Sequence, residues 1–396
     1  MESLDQILVN GKQWLISFLP EMFQSIASIL LVIAAILGVF ATLFAITTIL
    51  ERKILGRIQN RFGPNRAGPF GFLQPAADGI KMLTKEDIVP RDADKTVHFL
   101  APLALIVPVA LALAVLPYGR NMAPVEFDAG LLFFFAVGAS SELSVFMAGW
   151  SSRNKYSLIG AMRGIAQMIS YEVPLVLSTI SVIMIVGSLS LAKIVEAQSG
   201  FVFGWFPGWH VFTPWGFAGF IIFMIAATAE SNRAPFDLPE AESEIIAGYL
   251  TEYSGFKYAL FFMGEYWGMF AISGLAVTLF LGGWTAPLPF LQFIPSYIWF
   301  FAKLIALILF FIWMRGTLPR LRLDQLMSFA WKFLLPLALT NIVAAAMWHF
   351  TKTLQVPGAL GLRWIFCAVI LAIPYVWLGR GVAQAQRTKR IYKFAE

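Results

Sequence analysis

The sequence predicts an all-α integral membrane protein of about nine transmembrane helices with one amphipathic surface helix, and two observations carry that prediction. Of 396 residues 59% are hydrophobic and 13% charged, and an average soluble domain is about 25% charged. The apolar residues also arrive in long blocks separated by short charged loops, as expected of helices that each cross a hydrocarbon core of about 30 Å with about 20 residues. A water-soluble globule is excluded, and the chain reads as a single membrane domain over 1–396.

The expected spans are 25–50, 97–117, 130–150, 165–187, 214–230, 258–282, 296–314, 331–350 and 361–379. The first is about 39 Å of helix, so it tilts or protrudes. The stretch before it carries Glu2, Asp5 and Glu21 rather than the basic n-region of a signal peptide, so the first span is expected to persist in the mature protein. After it, the segment 72–85 reads as a surface helix. Phe72, Leu73, Ala76, Ile80 and Leu83 fall within about 100° of arc, with Asp78, Lys81 and Lys85 opposite.

Basic residues set the orientation. The loop 51–96 holds nine of them, from Arg52 to Lys95, and is expected on the cytoplasmic side together with 151–164, 315–330 and the tail from Arg380. The N-terminus then lies outside. The loop 231–257 falls on the cytoplasmic side by parity yet is rich in acid. The formal charge of +6 thus records topology rather than nucleic-acid binding. Lipid and not nucleic acid is the expected surrounding.

A lone cysteine, Cys367, rules out disulfides and an iron–sulfur cluster held within this chain. His98, His210 and His349 have no metal-ligand spacing, and neither a dinucleotide fingerprint nor a phosphate loop is present. Any redox cofactors must therefore sit on other chains.

Acidic residues inside spans carry the chemistry. Glu142, Glu172 and Glu265 each lie about 12–14 Å below the cytoplasmic ends of their helices by residue count, and Glu230 is expected at the cytoplasmic edge. Below it the acidic loop holds Asp237, Glu240, Glu242, Glu244 and Glu252. Each costs several kcal/mol in hydrocarbon unless protonated, paired or hydrated. Carboxylates grouped in a low dielectric resist sharing negative charge, so some bind protons that they release when a nearby charge changes, which is what a proton relay requires. Taken singly, each could instead hydrogen-bond a neighbouring helix. Pro174 cannot donate to the Ser170 carbonyl and frees backbone beside Glu172. Lys303, about 18 Å from Arg315 along its helix, either pairs with a carboxylate of this row or has no evident role.

Four segments resemble one family, the H subunit of proton-pumping NADH:quinone oxidoreductase, called subunit 1 in mitochondria. They are ERKILGRIQNRFGPNRAGPFGFLQPAADGIKMLTKED (51–87), GWSSRNKYSLIGAMRGIAQMISYEVP (149–174), AESNRAPFDLPEAESEIIAGYLTEYSGFKYALFFMGEY (229–266) and RGTLPRLRLDQLMSFAWKFLLPLAL (315–339). The resemblance implies a subunit catalytic only within its complex, which anchors the hydrophilic arm and supplies the membrane side of the quinone chamber. By motif it places Arg52, Arg61, Asp78, Arg233, Phe236 and Arg315 along the quinone passage. It places Glu142, Glu172, Glu230, Glu240, Glu242, Glu244, Glu252 and Glu265 in an acidic channel. Quinone is then the substrate. Iron–sulfur clusters and FMN belong to partner subunits, the B and D subunits lie against this chain, and the small A, J and K membrane subunits are its neighbours. A bacterial plasma membrane is expected, with the mitochondrial inner membrane as the alternative. The glutamate row alone also fits a stand-alone proton or ion antiporter, although no inverted repeat is evident. The related membrane subunit of an energy-converting hydrogenase is the other competing reading.

Overall fold

A computed structural model describes residues 5–202, 204–239, 246–353 and 359–387. A short helix α1 (Ile7–Ser17) precedes α2 (Glu21–Ile58), the surface helix α3 (Gln74–Thr84), α4 (Lys95–Val115), α5 (Gly130–Gly138), α6 (Ser140–Ser151) and α7 (Lys155–Val186). Then follow α8 (Leu191–Glu196), a two-stranded antiparallel ribbon of β1 (Phe201–Val202) and β2 (Phe206–Pro207), α9 (Pro214–Glu230), α10 (Gly255–Phe280), α11 (Ser296–Thr317), α12 (Leu323–Phe329), α13 (Leu335–Thr353) and α14 (Ala359–Arg387). Among the described residues, eight helical segments are long and apolar enough to cross a membrane, with α5–α6 and α12–α13 each counted as one, and α9 is a shorter apolar helix. The protein is an all-α multi-pass membrane protein.

Helix ends follow local chemistry. Asp94 caps α4 by accepting from the Thr96 and Val97 amides at 3.2 and 3.3 Å, Asn154 caps α7 through Tyr156 N at 2.9 Å, and Thr213 caps α9 ahead of Pro214. Gly187, at φ 75°, ends α7 in the left-handed region that a side chain would disfavour.

The helices depart from the expected spans in several places. Helix α7 already starts at Lys155, ten residues before the expected 165, and takes up most of the expected loop 151–164. Three further departures bear on the site. Helix α2 runs on through ERKILGRI to Ile58, because nothing before Gly56 breaks it, so Glu51 sits on a helix rather than in a loop. Helix α9 is about 26 Å long against a core of about 30 Å, so Glu230 ends inside the bundle rather than at its edge. The segment expected to begin at 331 already starts at Leu323 and passes through a π-helical turn at Ala330–Leu334, just ahead of Pro336, which lacks the amide a regular turn would use.

Helix α10 is the most enclosed element. Tyr266, Trp267 and the run Met269–Phe280 are buried in a core that also takes in Leu113, Leu116, Leu175, Val182, Phe223 and Phe300. At one end of the bundle, here the charged end, α2, α6, α9 and α11 finish while α4, α7 and α10 begin. The opposite end carries α1, α8 and the ribbon.

Candidate functional site

Two clusters of charge share the charged end. The first centres on Glu51, which is 4% exposed. Its carboxylate accepts from Arg233 at 3.2 Å, from Arg315 and from the Tyr266 hydroxyl. The Arg233 guanidinium lies 4.1 Å from the centre of the Tyr266 ring. A buried carboxylate needs such partners, since an unpaired charge there costs several kcal/mol. Burial alone would pull Arg233 down, but Tyr266, Glu51 and Glu265 hold its guanidinium above the usual arginine range. One residue from Glu51, Arg52 bonds Asp78 of α3 at 2.6 Å, and Gln74 donates to the other oxygen of Asp78 at 3.0 Å. This pair ties the surface helix to the end of α2.

The second cluster lines a cavity among α4, α5, α6, α7, α9 and α10. Glu172, Glu230 and Glu265 face it together with Tyr249, Ser231, Asn232 and Ser141, and its farther wall is apolar, with Leu105, Val109, Phe134 and Leu175. It offers about 90 Å³ to water-sized molecules, room for about three waters. Glu142 of α6 lies beside Glu172 of α7. Glu230 is close enough to both to feel their charge, and Tyr249 donates to Glu265 at 2.7 Å. Three carboxyl groups, Glu172, Glu230 and Glu265, therefore face one small and mainly apolar cavity, with Glu142 beside Glu172.

The clusters are adjacent through α10 and the loop after α9. Glu265 faces the cavity while the next residue, Tyr266, reaches Glu51. Gln167 of α7 pins the loop by donating to the carbonyls of Ala229 at 2.8 Å and Phe236 at 2.7 Å, with Asn232 Oδ1 at 3.3 Å. Asp237 bonds Arg320 at 3.1 Å.

The remaining residues singled out in the sequence lie elsewhere. Phe236 is buried against Tyr171, with ring centres 5.2 Å apart, and serves as core packing for the loop. Arg61 is exposed and donates to Gln59 at 2.7 Å, so it does not join the Glu51 cluster. Glu252 accepts from Asn154 at 2.7 Å, in a separate group where buried His98 stacks on Tyr253 at 3.9 Å. Glu240, Glu242 and Glu244 fall outside the described residues.

Sequence reasoning passed over Glu51, Tyr266 and Tyr249. Glu51 carried a legible signal, a lone acid directly between an apolar span and a basic loop. The two tyrosines carried none, because an aromatic in a membrane helix or its flank is unremarkable until its hydroxyl finds a carboxylate.

Lys303 pairs with no carboxylate among the described residues. It lies at the opposite end, donating to the carbonyls of Leu281, Gly283 and Thr285 at 2.7, 2.9 and 2.8 Å, with the Trp209 ring 4.0 Å away. It caps the C-terminus of α10, where orphan carbonyls and the helix dipole favour a cation. Beside it Gln198 donates to Ile194, Thr278 and Leu279 carbonyls and accepts from the His210 and Gly282 amides. Burial pushes the His210 imidazole down to about 4, opposed by its hydrogen bond to the Leu279 carbonyl.

A family model described as NADH dehydrogenase matches residues 31–346. The H subunit of the NADH-quinone oxidoreductase of Dehalococcoides mccartyi (strain CBDB1) is 53% identical over 297 residues, covering 75% of this chain and 80% of the relative. An H subunit of the Geobacter metallireducens enzyme is 48% identical over 320 residues, covering 78% and 93%, and one from Koribacter versatilis is 44% identical over 356, covering 83% and 99%.

Proposed function

The chain belongs to the NADH dehydrogenase family, as a membrane subunit of a bacterial NADH-quinone oxidoreductase, and from that premise we propose that it builds the membrane side of a quinone chamber and couples quinone reduction to proton movement. Its substrate is a quinone and its partners are the other subunits of the complex. On this reading the B and D subunits of the hydrophilic arm sit on the charged end and deliver electrons from an iron–sulfur cluster, FMN serves the nicotinamide end of the arm, and the A, J and K subunits flank the bundle in the plasma membrane. The charged end faces the cytoplasm.

The observation that carries the reading is the adjacency of the two clusters. Glu51, Arg233 and Arg315, with Arg52 and Asp78 beside them, make a polar wall at the end of the bundle where a quinone headgroup would meet the partner chains. A change of charge there acts on Arg233, whose guanidinium feels both Glu51 and Glu265. It also acts on the 231–236 loop, whose Ser231 and Asn232 line the carboxylate cavity. Glu142, Glu172, Glu230 and Glu265 then redistribute protons, because grouped carboxyls titrate as a set and not one by one. Glu240, Glu242, Glu244 and Glu252 would supply the approach from the cytoplasmic loop.

The test is Glu172→Gln in the assembled complex. The amide keeps shape and hydrogen bonding but cannot exchange a proton, so the subunit inventory stays intact while NADH-driven quinone reduction and proton pumping both fall about ten-fold or more, in line with the loss of one proton-transfer group. Wild-type rates of both would remove Glu172 from the mechanism.

A further inference from the structure

Helix α1 lies ahead of residue 31, outside the part of the chain that matches the family, and nothing above uses it. Its two ends are fixed to two different transmembrane helices. Asp5, just before it, accepts from Ser296 N at 2.6 Å and so caps α11, and Pro20, just after it, caps α2 in an extended conformation. The segment therefore lies across the end of the bundle instead of continuing the axis of α2.

Its residues divide into three faces at 100° per residue. Val9 and Ile16, on one arc, are half-buried against the bundle, with half-buried Lys12 at the edge between this arc and the apolar one. Asn10, Gln13 and Ser17 occupy a second, polar arc. The third arc, about 120° wide by the same count, holds Ile7, Leu8, Trp14 and Leu15, and Phe18 and Leu19 follow directly after the helix; all six are 40–71% exposed. A helix on a water-facing surface would not turn six large apolar side chains outward. That face is also continuous with exposed Met22, Phe23 and Ile26 on the first turns of α2, where α2 enters the membrane.

We propose that α1 is an in-plane membrane helix that seats its Leu8, Trp14, Leu15 and Phe18 face among phospholipid acyl chains at the interface opposite the charged end. Asn10, Gln13 and Ser17 face the water, and Val9 and Ile16 face the bundle. Such helices bury their apolar side about 5–10 Å into the boundary between headgroups and chains, with Trp at headgroup level. The Asp5 cap makes α1 a strap that holds the outer ends of α2 and α11 at a common depth. This inference rests on the membrane topology alone and stands or falls independently of the quinone reading.

The test uses the whole complex in native membranes, with the photoreactive residue p-benzoylphenylalanine placed in turn at positions 8, 15 and 18, or at 10, 13 and 17. After irradiation the subunit is isolated and its mass measured. At 8, 15 and 18 the expected product carries a mass shift of one phospholipid, and at 10, 13 and 17 that shift is lost. A crosslink from 15 or 18 to another protein chain would show that a subunit covers this face. No adduct of either kind at those positions would place the face in water. Each of these outcomes overturns the proposal.

Discussion

The two ends of the bundle both bury charge, yet they satisfy it in opposite ways. At the end that carries α1 and α8, the cation Lys303 is held by three backbone carbonyls, and Gln198 and His210 complete the cap of α10. Backbone carbonyls do not titrate, so the partners of this charge stay fixed whatever changes around it. At the charged end, Glu51 is shared by Arg233, Arg315 and Tyr266, while Glu172, Glu230 and Glu265 line a cavity with room for water and Glu142 lies beside Glu172. There the partners are themselves ionisable, and a change in one alters the rest. The contrast separates a buried charge that holds structure from buried charges that can respond.

The sharpest way to break this contrast is at Arg233. Arg233→Met leaves Glu51 buried without one of its cations and is expected to cost about 3–5 kcal/mol of stability, with quinone reduction abolished in whatever complex assembles. The double variant Arg233→Met with Glu51→Gln removes both charges. It should recover most of the thermal stability of the isolated complex while activity stays lost. Recovery of turnover in the double variant would reduce the cluster to structural support.

Lys303→Met tests the other end. Three carbonyls lose a charged donor, for an expected loss on the order of 3 kcal/mol, read as a lower unfolding temperature. Turnover and pumping per assembled complex should remain at the wild-type level. A drop in pumping with intact assembly would place Lys303 among the responsive charges.

A more gradual effect, small for any single step of pH, is expected at His210. Its imidazole is neutral when buried and its value lies below the ordinary 6.5, at about 4. The unfolded loop thus binds more protons than the folded one, and stability is full above about pH 6.5 and falls by roughly 1.4 kcal/mol per unit as pH drops toward 4. Hydrogen exchange of the segment around His210 should accelerate across that window, and His210→Gln should flatten the profile.

Much of the fold was legible because its signals are additive. Long apolar blocks read locally, and the period of 72–85 placed the surface helix at Gln74–Thr84, whereas the Asp94, Asn154 and Thr213 caps emerged only from the structure. The site was legible in part. Residue counting placed Glu142, Glu172 and Glu265 at one depth, and they do share a neighbourhood. Glu230 joined them only because α9 is short, a fact of packing rather than pattern. Lys303 was misread for a related reason: its partners are backbone carbonyls at the end of α10, and no sequence signal marks which carbonyls a turn will expose. Phe236 and Arg61 sit in a matching motif, yet one fills core and the other lies on the surface.

The central claim is that the carboxyl groups around the cavity change protonation when quinone is reduced. Infrared difference spectra of the complex in membranes, oxidised against reduced with quinone bound, read protonated carboxyl groups directly. The account predicts carboxyl bands in the wild-type difference spectrum that are diminished in Glu172→Gln and in Glu230→Gln and unchanged in Lys303→Met. Identical carboxyl bands in all four proteins would contradict it.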